Sequence, residues 1–175
     1  MGTMIKDKLE YQVTQEWIEK FKKTLAMMEQ DEERKRKDFP KWELSRNALE
    51  SHVAKLKAEI AEYERLMSCD SSQPIEIIVD NLTDLPLALI KARLAAKIST
   101  KELAEIMGID EERIKQCEDN NYQCASFLEL LEVSAALGVE FKTAVMQVDF
   151  AEIEMGKRLA KKRQQRISKK AIKIS

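Results

Sequence analysis

The sequence is poor in residues that interrupt or cross-link a chain. Its 175 residues include 4 glycines, 3 prolines and 3 cysteines, whereas 35% of the residues are charged. So few turn-forming residues argue against a sandwich or barrel, which needs many short strands and turns, and favour long helices. Because 44% of the residues are hydrophobic, the chain can still bury a core. We therefore expect an all-α fold.

Residues typical of catalytic and metal sites are also scarce. Cys69, Cys117 and Cys124 are odd in number and form no CxxC pair, which indicates neither a disulfide framework nor a zinc site. His52 is the only histidine, and it lies in a charged, helical stretch without a nucleophile motif. We expect a protein that is not an enzyme and that needs no cofactor and no metal.

Long apolar runs are missing as well. No segment approaches the roughly 20 apolar residues that span a bilayer, and the start MGTMIKDKLEYQ lacks the apolar stretch of a signal peptide. We expect a cytoplasmic protein with no membrane partner. The net charge of −1 conceals an uneven distribution, since residues 82–141 carry 6 basic and 11 acidic side chains, and residues 142–175 carry 10 and 3. Positive charge is therefore concentrated near the C-terminus.

Residues 1–68 are predicted to form a coiled-coil-like helical hairpin. Thr14 can cap a first helix with apolar residues at spacings of three and four: Trp17, Ile18, Phe21, Leu25 and Met28. After Phe39-Pro40 a second helix carries a heptad seam, which Arg46 interrupts: Trp42, Leu49, Val53, Leu56, Ile60, Tyr63 and Met67. We expect the hairpin to pair with a second copy as a homodimer. The alternative is that the seam packs onto the C-terminal part of the same chain.

Residues 69–81 are predicted to link the hairpin to a second domain. The stretch SCDSSQP is small, polar and closed by a proline. The following IEIIV, residues 75–79, is typical of a short strand. Residues 139–148 could pair with it in a two-stranded sheet, although they continue equally well as a helix.

Residues 82–141 are predicted to form a compact domain of four to five helices. A first helix is expected at 85–96, with Leu85, Leu89, Ala92 and Ala96 on its buried stripe. Ser99 or Thr100 caps the next helix, which Gly108 ends because glycine adopts a left-handed backbone without a Cβ clash. Gly138 is expected to end the last helix, residues 127–137. The remaining positions expected to face the core are Leu103, Ala104, Met107, Ile109, Ile114, Cys117, Leu128, Leu131, Val133 and Ala135 to Leu137.

This pattern resembles the Cro/C1-type helix-turn-helix domain of the lambda-repressor-like family, also called the Xre family. The resemblance covers roughly residues 83–141 and is carried by Leu103-Ala104, Gly108-Ile109, Ile114, Cys117-Glu118 and Ala136-Leu137-Gly138-Val139. It implies two consecutive helices that dock on DNA, the second of which, capped by Asp110, enters the major groove.

The resemblance also implies which side chains face DNA, and this sequence departs from the family there. Thr100 stands where the family usually has a glutamine, and Glu111 and Glu112 stand where small polar or amide residues usually meet the bases. A hydroxyl can still reach a phosphate, and a glutamate can accept a hydrogen bond from a cytosine amino group. The predicted DNA-contacting residues of this domain are Thr100, Lys101, Glu111, Glu112, Arg113, Lys115, Gln116 and Asn120. Asn121 and Tyr122 could touch phosphates too, or form an ordinary turn.

A basic segment near the C-terminus is a candidate second DNA contact. Residues 157–173, KRLAKKRQQRISKKAIK, hold nine basic residues and no acid, a composition suited to a DNA backbone or minor groove. The residues predicted to bind are Lys157, Arg158, Lys161, Lys162, Arg163 and Arg166. The alternatives are a solvated tail and an amphipathic membrane-surface helix whose apolar side is Leu159, Ile167, Ala171 and Ile174.

The leading interpretation is a bacterial or phage regulator of transcription, such as a repressor, that binds double-stranded DNA sequence-specifically as a dimer. The alternative is an antitoxin-like module whose acidic helix binds a basic, toxin-like protein, and which can also regulate its own promoter. Of the cysteines, Cys117 occupies a core position and is expected to be inert. Cys124 lies in the loop NNYQCAS, where a redox-sensitive thiol is one possibility and a loop cysteine without consequence is the other.

Overall fold

The structure is a computed structural model that describes residues 4–70 and 72–172, with side chains to residue 165. Across these residues the chain forms α-helices and one 3-10 turn at Leu82–Asp84, and no strand, so the all-α prediction is confirmed. The helices are α1 Lys8–Gln30, α2 Glu32–Lys37, α3 Phe39–Met67, α4 Leu85–Ala95, α5 Thr100–Met107, α6 Glu111–Asp119, α7 Phe127–Ala136 and α8 Phe150–Ile172. Residues up to Glu140 form one compact unit, and residues from Phe141 form another.

The helices α1 and α3 pack against each other in opposite directions. The rings of Tyr11 and Tyr63 stack with centroids 5.1 Å apart near one end of the pair. Near the other end, the indole N–H of Trp42 donates a 3.1 Å hydrogen bond to the carbonyl of Met28. Because the contacting residue number rises along α1 as it falls along α3, the two helices are antiparallel.

Three aspartates, not Thr14, start the first three helices. Asp7, Asp31 and Asp38 each accept a hydrogen bond from the backbone N–H three residues later, at 2.8, 2.9 and 3.2 Å. The N-cap predicted at Thr14 is wrong, because α1 already begins two turns earlier, where the Asp7 side chain accepts the N–H of Glu10.

The C-terminal end of α3 enters the core formed by the later helices. The heptad seam holds through Tyr63, but its last position is the fully buried Leu66, and Met67 is exposed. At this point α3 packs on α4, which selects a different face of the helix. The residues of the core cluster are Leu66, Leu85, Leu89, Ile90, Leu94, Ala95, Leu103, Ala104, Ile114, Cys117, Tyr122 and Val133.

The buried face of α7 differs from the predicted one. Leu128 and Leu131 are 63% and 46% exposed, whereas Val133 is buried as predicted. The residues turned inward are Leu130, Val133, Ser134 and Leu137, whose spacing of three, four and seven defines one helical face. Sequence alone could not choose between two apolar faces of a helix that is rich in leucine on both.

Four further positions depart from the expected packing. Ala96 is exposed because α4 ends at Ala95, and Ala135 lies on the outer side of α7. Ile109 stays well exposed and does not fill the angle between α5 and α6, because Leu103, Ala104 and Ile114 already do so. Trp17, expected in the core of the hairpin, is also well exposed; the aliphatic Ile18 is buried in its place.

The segments proposed as a pair of strands are irregular. Residues 75–79 and residues 139–148 carry no strand assignment. A strand needs a neighbouring strand for its backbone hydrogen bonds, and the five residues IEIIV supply no such partner by themselves. The all-helical description therefore replaces the proposed small sheet in this part of the chain.

Candidate nucleic-acid interface

The turn between α5 and α6 is built by local interactions. Ser99 caps α5, and its backbone N–H and hydroxyl both donate to the Glu102 carboxylate at 2.7 Å, which completes a capping box. At the other end Gly108 adopts φ +68°, and the N–H of Ile109 donates to the carbonyl of Ala104 at 3.1 Å. This backbone pattern satisfies the last carbonyls of α5 and directs the chain into α6.

Asp110 occupies the N-cap position of α6 but does not cap it with its side chain. Its backbone is extended, at φ −73° and ψ 138°, and its side chain makes no capping hydrogen bond. The expectation that its carboxylate caps α6 is therefore wrong. Its carbonyl still accepts the N–H of Arg113 at 3.0 Å, so only the backbone of Asp110 contributes to the start of the helix.

Glu111 is held by residues of the same unit. Its Oε1 accepts a hydrogen bond from the Thr100 hydroxyl at 3.0 Å and lies 3.0 Å from Nζ of Lys115. These contacts, Lys115 first and Thr100 second, lower the pKa of Glu111. A carboxylate in the first turn also complements the positive end of the helix dipole. Glu111 thus has a structural explanation that needs no ligand.

Arg113 is also engaged within the unit. Its Nε and Nη2 donate to Oε1 of Glu129 at 2.8 and 2.6 Å, and Nη2 donates to the carbonyl of Cys124 at 3.2 Å. The hydrogen bond to Glu129 is the main reason that the pKa of Arg113 is raised. Arg113 therefore joins α6 to the start of α7, and it is not a freely available cation.

The other predicted contacts on α5 and α6 are exposed to solvent. Glu112 and Gln116 lie on the outer side of α6, and Lys101 pairs loosely with Glu105 at 3.9 Å on α5. Asn120 follows α6 and donates its side-chain N–H to the carbonyl of Gln116 at 2.9 Å. Together with Lys115 these side chains give α6 an outer surface of mixed charge.

A buried ion pair beneath this surface was missed by the sequence reasoning. Arg93 on α4 and Glu118 on α6 are 4% and 3% exposed, and two parallel hydrogen bonds of 2.6 Å join them. Arg93 also donates to the carbonyls of Ile98 and Lys6 at 2.9 and 3.1 Å. The signal in the sequence is that opposite charges occupy inward positions: Glu118 follows Ile114 by four residues, and Arg93 interrupts an apolar helix.

The segment before α1 contacts both residues of the buried ion pair through Lys6. Lys6 donates from Nζ to the carbonyl of Glu118 at 2.6 Å, and Ile5 is buried. The segment before α1 thus packs at the C-terminal end of α6. A cleft of about 460 Å³ opens beside it, and its charged lining residues are Lys6, Asp7, Glu10, Arg93, Lys97, Lys115, Glu118 and Asp119. Because acids and bases are evenly mixed, the cleft favours neither anions nor cations.

Tyr122, considered a phosphate contact from the sequence, is buried and cannot reach one. It adopts φ +56°, and its hydroxyl has no hydrogen-bond partner among the described residues. Burial is the main reason that the pKa of Tyr122 is raised. The hydroxyl has therefore lost its hydration without a replacement.

We expect Tyr122→Phe to keep or raise stability, by up to about 1 kcal/mol, because it removes an unsatisfied buried polar group while retaining the ring. Urea unfolding at pH 7 measures the change. Tyr11→Phe is the control, since the Tyr11 hydroxyl donates a hydrogen bond to Glu64 at 2.6 Å. We expect no gain in stability when this satisfied hydroxyl is removed. A Tyr122→Phe variant that is less stable than the parent by more than 1 kcal/mol would contradict this expectation.

The basic segment is helical as far as the structure describes it, to Ile172. Asp149 starts α8 by accepting hydrogen bonds from the N–H groups of Ala151 and Glu152 at 2.8 and 3.1 Å. Five of the predicted DNA-contacting side chains are exposed on α8: Lys157, Arg158, Lys161, Lys162 and Arg163. The first four share one side of the helix, because they are spaced by one, four and five residues. The side chain of Arg166 lies outside the described residues.

No cluster of three or more His, Cys, Asp or Glu side chains among the described residues is placed to hold a metal ion. None of the helices described is both long and apolar enough to cross a membrane.

No protein-family model, curated protein or solved structure matches the chain. The functional interpretation therefore rests on the residues of α5, α6 and α8 themselves.

Proposed function

We propose that the chain is a sequence-specific, DNA-binding transcriptional regulator of the lambda-repressor-like type. In this proposal α5 and α6 are the helix-turn-helix motif, and α6 enters the major groove. The observation that carries it is the α5–α6 turn itself: two short helices joined by a left-handed glycine and packed on a common core through Leu103, Ala104 and Ile114.

The exposed side of α6 suits base recognition. Ile114, Cys117 and Glu118 point into the protein, which leaves Glu112, Lys115, Gln116 and Asp119 on the outer side. Lysine and glutamine can reach guanine and adenine edges respectively, and a glutamate can accept a hydrogen bond from the cytosine amino group.

The pairing of Glu111 reduces the electrostatic difficulty of an acidic recognition helix. Each unpaired carboxylate a few ångströms from a phosphate costs about 1 kcal/mol in water, and more where water is excluded. Since Lys115 already balances Glu111, Glu112 is the carboxylate of the first turn that must find a partner on the DNA. A cytosine amino group can donate a hydrogen bond to Glu112. The helix therefore favours sites with cytosine at that position over DNA of arbitrary sequence.

The positive charge that α6 lacks is supplied, in this proposal, by α8. The exposed cations Lys157, Arg158, Lys161 and Lys162 share one side of that helix, a suitable arrangement for tracking a phosphate backbone. Non-specific affinity thus comes from α8 and specificity from α6.

Dimerisation through the N-terminal helices completes the proposal. Leu9, Val13 and Trp17 form an exposed apolar stripe along α1 at intervals of four residues, a spacing at which helices pair. A symmetric dimer reads a palindromic site whose half-sites are one helical turn, or a multiple, apart.

Selection from a pool of random duplexes at two salt concentrations tests the proposal. We expect enrichment of a palindromic sequence with cytosine at conserved half-site positions. A pool that stays random at both salt concentrations, although the protein is folded by circular dichroism, would overturn it.

A matched pair of charge reversals tests the role of α6. Glu112→Lys and Glu132→Lys change the net charge equally, but the first lies on α6 and the second on α7. We expect Glu112→Lys to change the selected bases, and Glu132→Lys to leave them unchanged while raising non-specific affinity slightly. If both variants select the parent sequence, α6 is not the reading helix.

A protein partner is the second candidate. Thr100 and Arg113, both predicted to contact DNA, are bound to Glu111 and Glu129, which leaves the α6 surface richer in exposed carboxylates than in free cations. Such a surface suits a basic, toxin-like protein, as in the antitoxin-like alternative. Loss of a co-purifying basic protein in Glu112→Lys, with DNA selection unchanged, would favour this function.

A further inference from the structure

Two of the three cysteines lie side by side at the C-terminal end of α6. The sulfur atoms of Cys117 and Cys124 are 3.9 Å apart, and both thiols are free. A disulfide needs the sulfurs about 2.05 Å apart, so the two sulfur atoms must approach each other by about 2 Å to form the bond. We propose that Cys117 and Cys124 form a reversible disulfide when the protein meets a peroxide.

The two thiols differ in exposure, which sets the order of events. Cys124 is exposed in the loop between α6 and α7, whereas Cys117 is buried in the core. A soluble oxidant therefore reaches Cys124 first. Burial raises the pKa of the Cys117 thiol to about 11, so this residue is protonated at neutral pH and does not compete for the oxidant.

The surroundings of Cys124 are typical of a reactive cysteine. Nη1 of Arg113 lies 3.9 Å from its sulfur, and the same guanidinium is held in place by Glu129. An adjacent cation and solvent access are the two features that mark cysteines able to react with oxidants.

The chemistry balances with hydrogen peroxide as the oxidant. The Cys124 thiolate attacks one peroxide oxygen; the S–O bond forms, the O–O bond breaks, and hydroxide leaves, so sulfur becomes a sulfenic acid. The Cys117 sulfur then attacks the Cys124 sulfur; the S–S bond forms, the S–O bond breaks, and the departing oxygen leaves as water with the Cys117 proton. Two thiols and one peroxide give one disulfide and two waters.

The bond closes a short loop across the sequence EDNNYQ, residues 118–123. It ties the last turn of α6 to the segment that leads into α7, where Arg113 already joins the two helices. The site does not depend on the ligand of α6, so its test is separate from that of the proposed function.

Thiol labelling of the full chain tests the proposal. The protein is treated with hydrogen peroxide, quenched with acid, unfolded, alkylated with a maleimide and weighed intact. The reduced protein has three free thiols, and we expect the oxidised wild type to take up one label, on Cys69. Its mass should also fall by two hydrogen atoms, because the disulfide replaces two S–H bonds. Treatment with dithiothreitol should restore all three labels. Retention of three labels after peroxide treatment would overturn the proposal.

Single substitutions distinguish this bond from other oxidations. In Cys124→Ser, Cys69 and Cys117 both stay labelled, because the buried thiol is not oxidised by itself. In Cys117→Ser, Cys124 gains an oxygen atom and no intramolecular bond forms; Cys69→Ser still loses both remaining labels. A peptide map of oxidised wild type, which needs no variant to fold, must show residues 117 and 124 cross-linked within one chain. A cross-link between two chains, or one to Cys69, would contradict the proposal.

Discussion

Glu118→Gln is expected to destabilise the protein by about 3 to 5 kcal/mol, because it leaves the Arg93 guanidinium buried without its counter-charge. Both side chains are almost inaccessible to water, and their two hydrogen bonds of 2.6 Å are bidentate. A stable domain has only about 5 to 15 kcal/mol in total, so a loss of this size brings the variant close to unfolding at room temperature.

Urea unfolding followed by circular dichroism measures the effect, with Glu112→Gln as the matched control. Both substitutions remove one negative charge from α6, but Glu112 is exposed and its loss should change stability by less than about 0.5 kcal/mol. Equal midpoints for the two variants would show that the buried pair does not stabilise the fold.

A double variant separates the charge from the packing. Arg93→Met with Glu118→Leu removes both charges and keeps apolar volume, a replacement that is often neutral for buried ion pairs. Here the carbonyls of Ile98 and Lys6 lose their donor as well. We therefore expect the double variant to be more stable than Glu118→Gln but less stable than the parent.

Neutralising the cations of α8 is expected to weaken DNA binding about a hundredfold or more at 0.1 M salt. The change is to replace Lys157, Arg158, Lys161, Lys162 and Arg163 by glutamine. Affinity falls as salt rises, and each lost phosphate contact makes the plot of log affinity against log salt less steep by about 0.9. Losing five contacts therefore reduces the steepness by about 4 to 5. Affinity measured by fluorescence anisotropy from 0.05 to 0.3 M salt gives both quantities.

The matched control removes the same charge from the N-terminal helices. Replacing the exposed residues Lys22, Lys23, Arg36, Lys37 and Lys41 by glutamine gives an identical net charge. We expect this variant to keep the parent's slope, and the α8 variant to keep the parent's base preference despite its weaker binding. If both variants lower the slope equally, the overall charge of the chain matters and α8 makes no dedicated contact.

The sequence predicted most helices for sound physical reasons. The periodicity of apolar residues located α1, α3, α4, α5 and α7, and Gly108 and Gly138 marked two helix ends because each adopts a positive φ. The strand predicted at residues 75–79 failed because a short apolar run does not identify its own partner. The buried face of α7 was misassigned because both faces carry leucine.

The sequence predicted which residues of the candidate site face outward, but not which of them are bound to other residues of the same chain. The spacing after Gly108 correctly placed Ile114 and Cys117 inward and Glu112, Lys115 and Gln116 outward. It could not show that Thr100 is bound to Glu111, or Arg113 to Glu129, because each contact joins different helices. The two glutamates at the start of α6 therefore differ: Glu111 is paired with Thr100 and Lys115, whereas Glu112 is exposed and available to a ligand.

What the sequence by itself determined is local: the helical fold class, the ends of α5 and α7 marked by Gly108 and Gly138, and the charge separation between residues 82–141 and the basic α8. These depend on neighbours within about four residues, whose spacing can be read directly. Only the tertiary structure decided that Arg93 meets Glu118, that Leu66 enters the core formed by α4 to α7, and that the sulfurs of Cys117 and Cys124 lie 3.9 Å apart. The contacts of Arg93 with Glu118 and of Leu66 with the core depend on how helices far apart in sequence pack together, and the approach of the two sulfurs depends on the turn that follows α6. No spacing along a single helix encodes these distances.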